Sequence, residues 1–256
     1  MSLLLQAMET EIQIRAFRAT HDADTCLRFI LGHQKVLENH GIYKVSSSAV
    51  DWMYSPSVFV IVVESVDRTK LFGGARIHAF NEKDVLPIEE ATAQMDKRIH
   101  TVVRKYAETG TGELCGLWNS IEVAGLGIGS LFPLRAGIVI SEQIGLNSLF
   151  FLCSPLTIRF NKWVGSRILH EVGNNGTFYY PKLDLLATAV LLEDAINLSN
   201  GHPREKEKML FMRKNLLMTT QEKSPFKNYY VKVHYALQLA DADPHEFVLR
   251  LKTVNV

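Results

Sequence analysis

Excess charge of one sign, paired cysteines and long apolar runs are what this sequence lacks. Lys plus Arg number 28 against 27 for Asp plus Glu, a formal charge of +1, so no basic field is available to hold a polyanion and nucleic acid is not an expected partner. Cys26, Cys115 and Cys153 are odd in number and widely spaced. With no Cys-x-x-Cys pair, neither a disulfide framework nor a metal centre is expected, and a reducing cytoplasm is the expected compartment. The most apolar stretch, 131–153, is interrupted by Pro133, Arg135, Glu142 and Gln143, so it falls short of the roughly 20 unbroken apolar residues of a membrane span. The start, Met1 to Leu5, is apolar without a basic flank or a small-residue cleavage site; no export signal is read there and residues 1–11 are taken as a leader. What remains, 47% hydrophobic and 21% charged residues with 8 prolines in 256, is the mixture of a folded globular chain long enough for one large domain or a domain with an appendage.

Hydrophobic spacing sets the expected order of elements. Ile12 to Arg18 alternates as a strand, and His21 to Asp24 caps a helix whose apolar positions are Leu27, Ile30, Leu31 and Val36. Ser47 to Asp51 offers caps for a second short helix, and Val58 to Phe80 reads as a hairpin turning at Asp67 to Lys70. Pro87 opens an amphipathic helix carrying Ile88, Ala91, Met95, Ile99, Val102 and Tyr106. Glu113 to Glu122 follows as a strand, then a glycine-rich turn, a helix over 130–144, a buried strand over Ser148 to Cys153 and a short helix over Thr157 to Val164. Phe178 to Tyr180 and Ala187 to Leu192 are further strand candidates, the latter also readable as a helix. A charged helix through Leu216 and a strand over Tyr229 to Leu237 complete the order.

The segment Val123-Ala-Gly-Leu-Gly-Ile-Gly-Ser130 carries the chemistry. A glycine turn between a strand and a helix N-terminus lets backbone N–H groups converge on an anion, with the helix dipole adding a favourable partial charge. Gly127 and Gly129 suit that close approach, Ser130 can add a hydroxyl or a cap, and Pro133 is tolerated in the first turn. Glycines in such turns also serve as plain connections. Here the turn is followed by a buried strand and a short helix.

That arrangement resembles the motif A and motif B region of the Gcn5-related N-acetyltransferase superfamily across residues 12–195. The implied fold is α+β, with a central, mostly antiparallel twisted sheet flanked by helices, a helical insert at about residues 86–108 and a C-terminal extension over 196–256 packed on the core. The family pattern of Gln or Arg, two residues, Gly, one residue, then Gly or Ala aligns with Ala124, Gly127 and Gly129, so the leading side chain is absent. By resemblance, the N–H groups of Leu126, Gly127, Ile128, Gly129, Ser130 and Leu131 would hold the pyrophosphate of coenzyme A. The strand Glu113 to Ser120 would splay from Ser148 to Cys153 to admit the pantetheine arm. Gly165 is retained from the second motif, whereas Asn161 stands where many members have the Tyr that protonates the leaving thiolate. Asn cannot act as that acid, so another donor, water or a different Tyr, is required.

Glu122 and His78 are the candidate bases, Glu122 beside the loop and His78 on the hairpin; both also read as plain polar positions of their segments. Cys115 and Cys153 read as small buried hydrophobes. The implied activity is acyl transfer from an acetyl-CoA or longer acyl-CoA co-substrate, or from an acyl carrier protein, to a small-molecule amine or amino-acid acceptor. The long insert between the hairpin and the motif strand, together with the C-terminal extension past residue 195, departs from a minimal acetyltransferase and makes the chain resemble the larger N-acyl amino acid and autoinducer synthases. Arg204, Lys206, Lys208, Arg213 and Lys214 form a basic face that could dock an acidic carrier protein. The competing expectation, favoured by Ala124 and Asn161, is a degenerate module of the same fold that binds acyl thioesters without catalysis.

Overall fold

A computed structural model describes residues 10–43, 50–225 and 228–248. The chain runs β1 (Thr10–Arg18), α1 (Ala23–Asn39), β2 (Val58–Glu64), β3 (Leu71–Ala79), α2 (Pro87–Thr92), α3 (Arg98–Ala107), β4 (Thr111–Asn119), α4 (Leu131–Ser141), β5 (Ser148–Cys153) and α5 (Ile158–Val164). It continues through β6 (Arg167–Ile168), β7 (Thr177–Tyr179), β8 (Leu186–Leu192), α6 (Pro203–Lys214), β9 (Leu217–Lys223) and β10 (Tyr230–Ala236).

The strands form one sheet in the order β6-β8-β5-β4-β3-β2-β1-β10-β9, with β7 paired to β8. It is antiparallel except where β4 meets β5 and where β1 meets β10. Period-2 alternation assigns each strand's side chains to one of two apolar layers. Ile12, Ile14, Ile61, Ala75, Ile77 and Leu114 pack beneath α4, which is buried along its whole length. Phe17, Val60, Val62 and Trp118 pack on the other face with Phe29 of α1 and with Trp52. α2 and α3 cover a third cluster around Phe150 and Leu191. Each β2 residue is buried because one layer lies on each side.

Local chemistry accounts for several boundaries. Asp22 caps α1 by accepting the N–H of Thr25 at 3.0 Å. Between Ala93 and Lys97 the expected single amphipathic helix breaks into α2 and α3. There Asp96 gathers the N–H of Arg98 at 3.0 Å and that of Gly173 at 2.7 Å, bonds a continuous helix would not supply. In the expected second short helix, Ser47–Ala49 lie outside the described residues, and Asp51–Tyr54 form a 3-10 turn. Leu186–Leu192 resolves as a strand, and β9 is an element that hydrophobic spacing did not pick out.

Candidate active site

β4 and β5 pair only over Thr111↔Ser148, Gly112↔Leu149 and Glu113↔Phe150, after which the two parallel strands diverge. β4 also carries a bulge. Its register against β3 passes from Gly74↔Trp118 to Arg76↔Cys115, so β4 has one residue more than its partner. Gly116 sits there at φ +58, the left-handed conformation that lets a bulge close at a glycine. The consequence is a cleft of 210 Å³ lined by Glu113, Cys115, Gly116 and Leu117 of β4, Phe151 to Cys153 of β5 and Ser154 just after it. His33 and Leu37 of α1, Leu134 of α4, Asn161 of α5 and Tyr180 also line it.

Beyond β4, the chain makes a 3-10 turn over Ile121–Val123 and then the glycine segment. Among the described residues, no acceptor takes the N–H groups of Gly127, Ile128 or Gly129. Gly127 adopts φ +81, and a Cβ on Gly129 would stand 1.7 Å from that of Asn119, so β4 and the start of α4 can approach only through glycine. The turn bears on the C-terminal strands: Ser224 donates to the Gly125 carbonyl at 3.1 Å, and Pro225 lies over Gly127. Gly127, Ile128 and Gly129 are therefore buried, while Ala124 and Gly125 are exposed.

The most perturbed chemistry lies on the α1 side of β3 and β4. Glu113, 2% exposed, stands directly across the ladder from His78. Burial pushes its carboxyl up to about 8, against the opposing pull of the Ile88 N–H, which donates to it at 2.5 Å, and of the Arg76 guanidinium. Arg76, 1% exposed, donates from Nε to His78 Nε2 at 3.1 Å and lies over the Trp52 ring at 4.5 Å. Burial and the Arg76 charge hold His78 well below the usual histidine range, so its ring is neutral. Because Nε2 accepts from Arg76, the remaining ring proton belongs on Nδ1. Arg76 and His78 line a second chamber of 250 Å³ with Trp52, Ser57, Asn81, Asp84 and Glu90. Pro87 lines both spaces, so the Glu113–His78 pair stands where cleft and chamber meet. Ser55, Ser57, Asn81 and Asp84 in turn border an outer vestibule of 680 Å³ closed by Asp243–Val248.

The residues expected from sequence fall in different places. His78 lies at this junction and Asn161 in the cleft, but Glu122 is exposed on its 3-10 turn and lines neither space. Asn161 donates from Nδ2 to Cys153 Sγ at 3.1 Å, while its buried Oδ1 has no partner among the described residues. Burial raises the thiols of Cys115 and Cys153 to about 12, which suits inert cysteines better than nucleophiles. The basic face of α6 is partly turned inward: Lys208 pairs with buried Glu222, and Arg213 donates to the carbonyls of Ala195, Ile196 and Ile138. Sequence reasoning missed Glu113, Arg76 and Trp52. A signal existed for Glu113, a carboxylate one residue before Leu114 in an apolar strand interrupted by glycine, the pattern of a bulge beside a site.

No family model matches this chain, and no curated protein matches it. Among solved structures it is similar to FeeM, an N-acyl amino acid synthase from uncultured soil microbes, with a TM-score of 0.53 at 14% identity over 74% of this chain and 94% of that one. It also matches BjaI, a coenzyme A-dependent acyl-homoserine lactone synthase, with a TM-score of 0.47 at 10% identity over 79% of this chain and 90% of that one. A third match is yncA from Salmonella typhimurium, solved with acetyl-CoA, with a TM-score of 0.47 at 14% identity over 71% and 92% of the two chains. The likeness to FeeM, with the sheet order and the β4–β5 divergence, gives this chain the Gcn5-related N-acyltransferase fold.

Proposed function

We propose that this protein is an N-acyltransferase that moves an acyl group from a coenzyme A thioester to the amine of a small acceptor. The observation that carries the reading is the junction at Glu113, where a cleft between diverging strands meets a polar chamber on the other side of one buried carboxyl. The thioester would enter along the cleft, with its pyrophosphate at the N–H groups of Gly127 to Gly129 and the N-terminus of α4. Asn161 Oδ1 offers an acceptor for an amide N–H of the pantetheine arm. The bulge at Gly116 leaves β4 backbone outside the ladder beside the cleft, a source of N–H donors for the oxyanion that forms as the carbonyl is attacked.

The acceptor would occupy the chamber. A carboxyl at about 8 ionises near neutral pH and can take a proton from the attacking nitrogen. Neutral His78 accepts from Arg76, which lies over Trp52 on the chamber wall; an amino acid is the acceptor class proposed. FeeM, named as an N-acyl amino acid synthase, supports the same class. Ala124 and Asn161 favour a second reading, a thioester-binding module without turnover. Titration calorimetry with acetyl-CoA and octanoyl-CoA, followed by thiol-release assays with an amino-acid panel, separates the two. Binding with turnover supports the enzyme, binding without turnover the module, and absence of binding refutes both.

A further inference from the structure

We infer that the acceptor is an amino acid whose side chain carries a second positive charge, held at the rim of the chamber by Asp84 and Glu90. The inference rests on the acyl-transfer reading above and narrows its acceptor. The chain as a whole is balanced, with 28 basic residues against 27 acidic ones, but the chamber wall is not. Asp51, Asp84 and Glu90 share that wall with a single guanidinium, that of Arg76, while Lys83 lines the vestibule instead. Arg76, 1% exposed, is drawn inward, bonded to His78 and close enough to act on the buried Glu113 carboxyl. Among the described residues no ion pair reaches Asp51, Asp84 or Glu90, whereas neighbouring Glu89 pairs with His100 at 2.7 Å and Glu82 with Arg104 at 4.0 Å. Burial, then the Asp84 and Glu89 carboxylates, all disfavour the charge of Glu90, a repulsion that a cation set between Asp84 and Glu90 relieves. Helix capping does not account for Glu90, because Glu89 already serves that end of α2 by accepting the Leu86 N–H at 2.8 Å.

A separate observation points to a bound molecule of this kind. Trp52, 6% exposed, lines the same chamber, and its indole N–H finds no acceptor among the described residues. A buried donor left unmet is costly, and the carboxylate of an amino acid supplies what it lacks. Asp84 stands at the opposite limit of the chamber, since Ser55, Ser57, Asn81 and Asp84 border the vestibule as well. The chamber therefore asks for an acceptor atom within and a positive charge at its rim. A plain diamine lacks the first and a neutral amino acid the second.

The side-chain cation takes no part in bond making. The α-nitrogen bonds to the thioester carbon, its proton passes to Glu113, the C–S bond breaks, and the sulfur leaves as thiolate.

The test compares acceptors that differ in one charge. Arginine and citrulline share a shape, and neither side chain competes with the α-amine as a nucleophile; lysine and norleucine make a second pair. Thiol release from acetyl-CoA and octanoyl-CoA is followed with each, and with hydroxylamine as a minimal amine. In at least one pair the charged member should show a kcat/KM about tenfold higher or more, carried mainly by KM. That preference should shrink as salt is added and fall below about threefold in an Asp84→Asn, Glu90→Gln double variant. Both acids are exposed, so the variant should melt as wild type does, and the wild-type preference reads the inference without it. Equal kcat/KM within both pairs, or a preference that survives the double variant, overturns the cation site. Thiol release with hydroxylamine but with none of the four amino acids overturns the inference and leaves acyl transfer standing. Thiol release with no amine at all overturns both together.

Discussion

Glu113 combines a functional demand with a stability cost. Its carboxyl stays protonated in the folded chain up to about pH 8, whereas an unfolded glutamate loses its proton near pH ~4.3. Between those values the folded state binds the extra proton, so stability falls as pH rises through the window, by on the order of a few kcal/mol. Glu113→Gln keeps an acceptor for the Ile88 N–H and cannot ionise. The variant should melt well above wild type at pH 8.5, match it near pH 4.5, and lose turnover by at least about 100-fold. In wild type, turnover should rise with pH through about 8. Equal melting temperatures at pH 8.5, or retained turnover, would remove Glu113 from the role of base.

At the scale of elements, β4 and the turn that follows it do most of the positioning. Gly116→Val would place a branched side chain at φ +58, a conformation that costs a non-glycine residue roughly 1–2 kcal/mol, and more when β-branched. The bulge should shift, lowering kcat more than donor affinity; loss of donor affinity alone would show that the bulge does not serve the carbonyl. Gly129→Ala should do the reverse and weaken donor binding, because a methyl group forces α4 away from Asn119; calorimetry reads that directly. These elements also show what was legible in the sequence. The strand, glycine turn and helix could be read because each carries local punctuation, in Gly127, Gly129 and the apolar runs on either side. Glu113, Arg76 and Trp52 could not be joined by spacing. Their proximity depends on strand register, Arg76↔Cys115 and His78↔Glu113, and on a 3-10 turn that brings Trp52 over the guanidinium. Glu122 drew notice by its place beside the glycine turn, but it lies just past a strand end, where the chain turns into solvent and alternation gives no burial.

Across the whole molecule, the C-terminal segment completes the sheet that carries the site. β10 pairs in parallel with β1, from Thr10↔Val231 to Arg15↔Ala236, and Val231, Val233 and Tyr235 join the cluster beneath α4. Buried Glu222 of β9 receives Arg135 of α4 at 3.3 Å and the Tyr235 hydroxyl at 3.1 Å, with Lys208 of α6 on the same carboxylate. Arg135 in turn forms a two-pronged pair with Glu205 at 2.6 and 2.7 Å. Removing one member of such a network strands the others. Glu222→Ala should therefore cost about 3–5 kcal/mol, or roughly 6–20 °C in melting temperature for a chain of this size. Because Arg135 lies in the helix that begins at the glycine turn, and Ser224 and Pro225 bear on that turn, the same variant should weaken coenzyme A binding at temperatures where it remains folded. Calorimetry at 10 °C beside a melting curve reads both effects. A destabilised variant with wild-type donor affinity would confine β9 and β10 to closing the sheet, with no part in holding the donor loop.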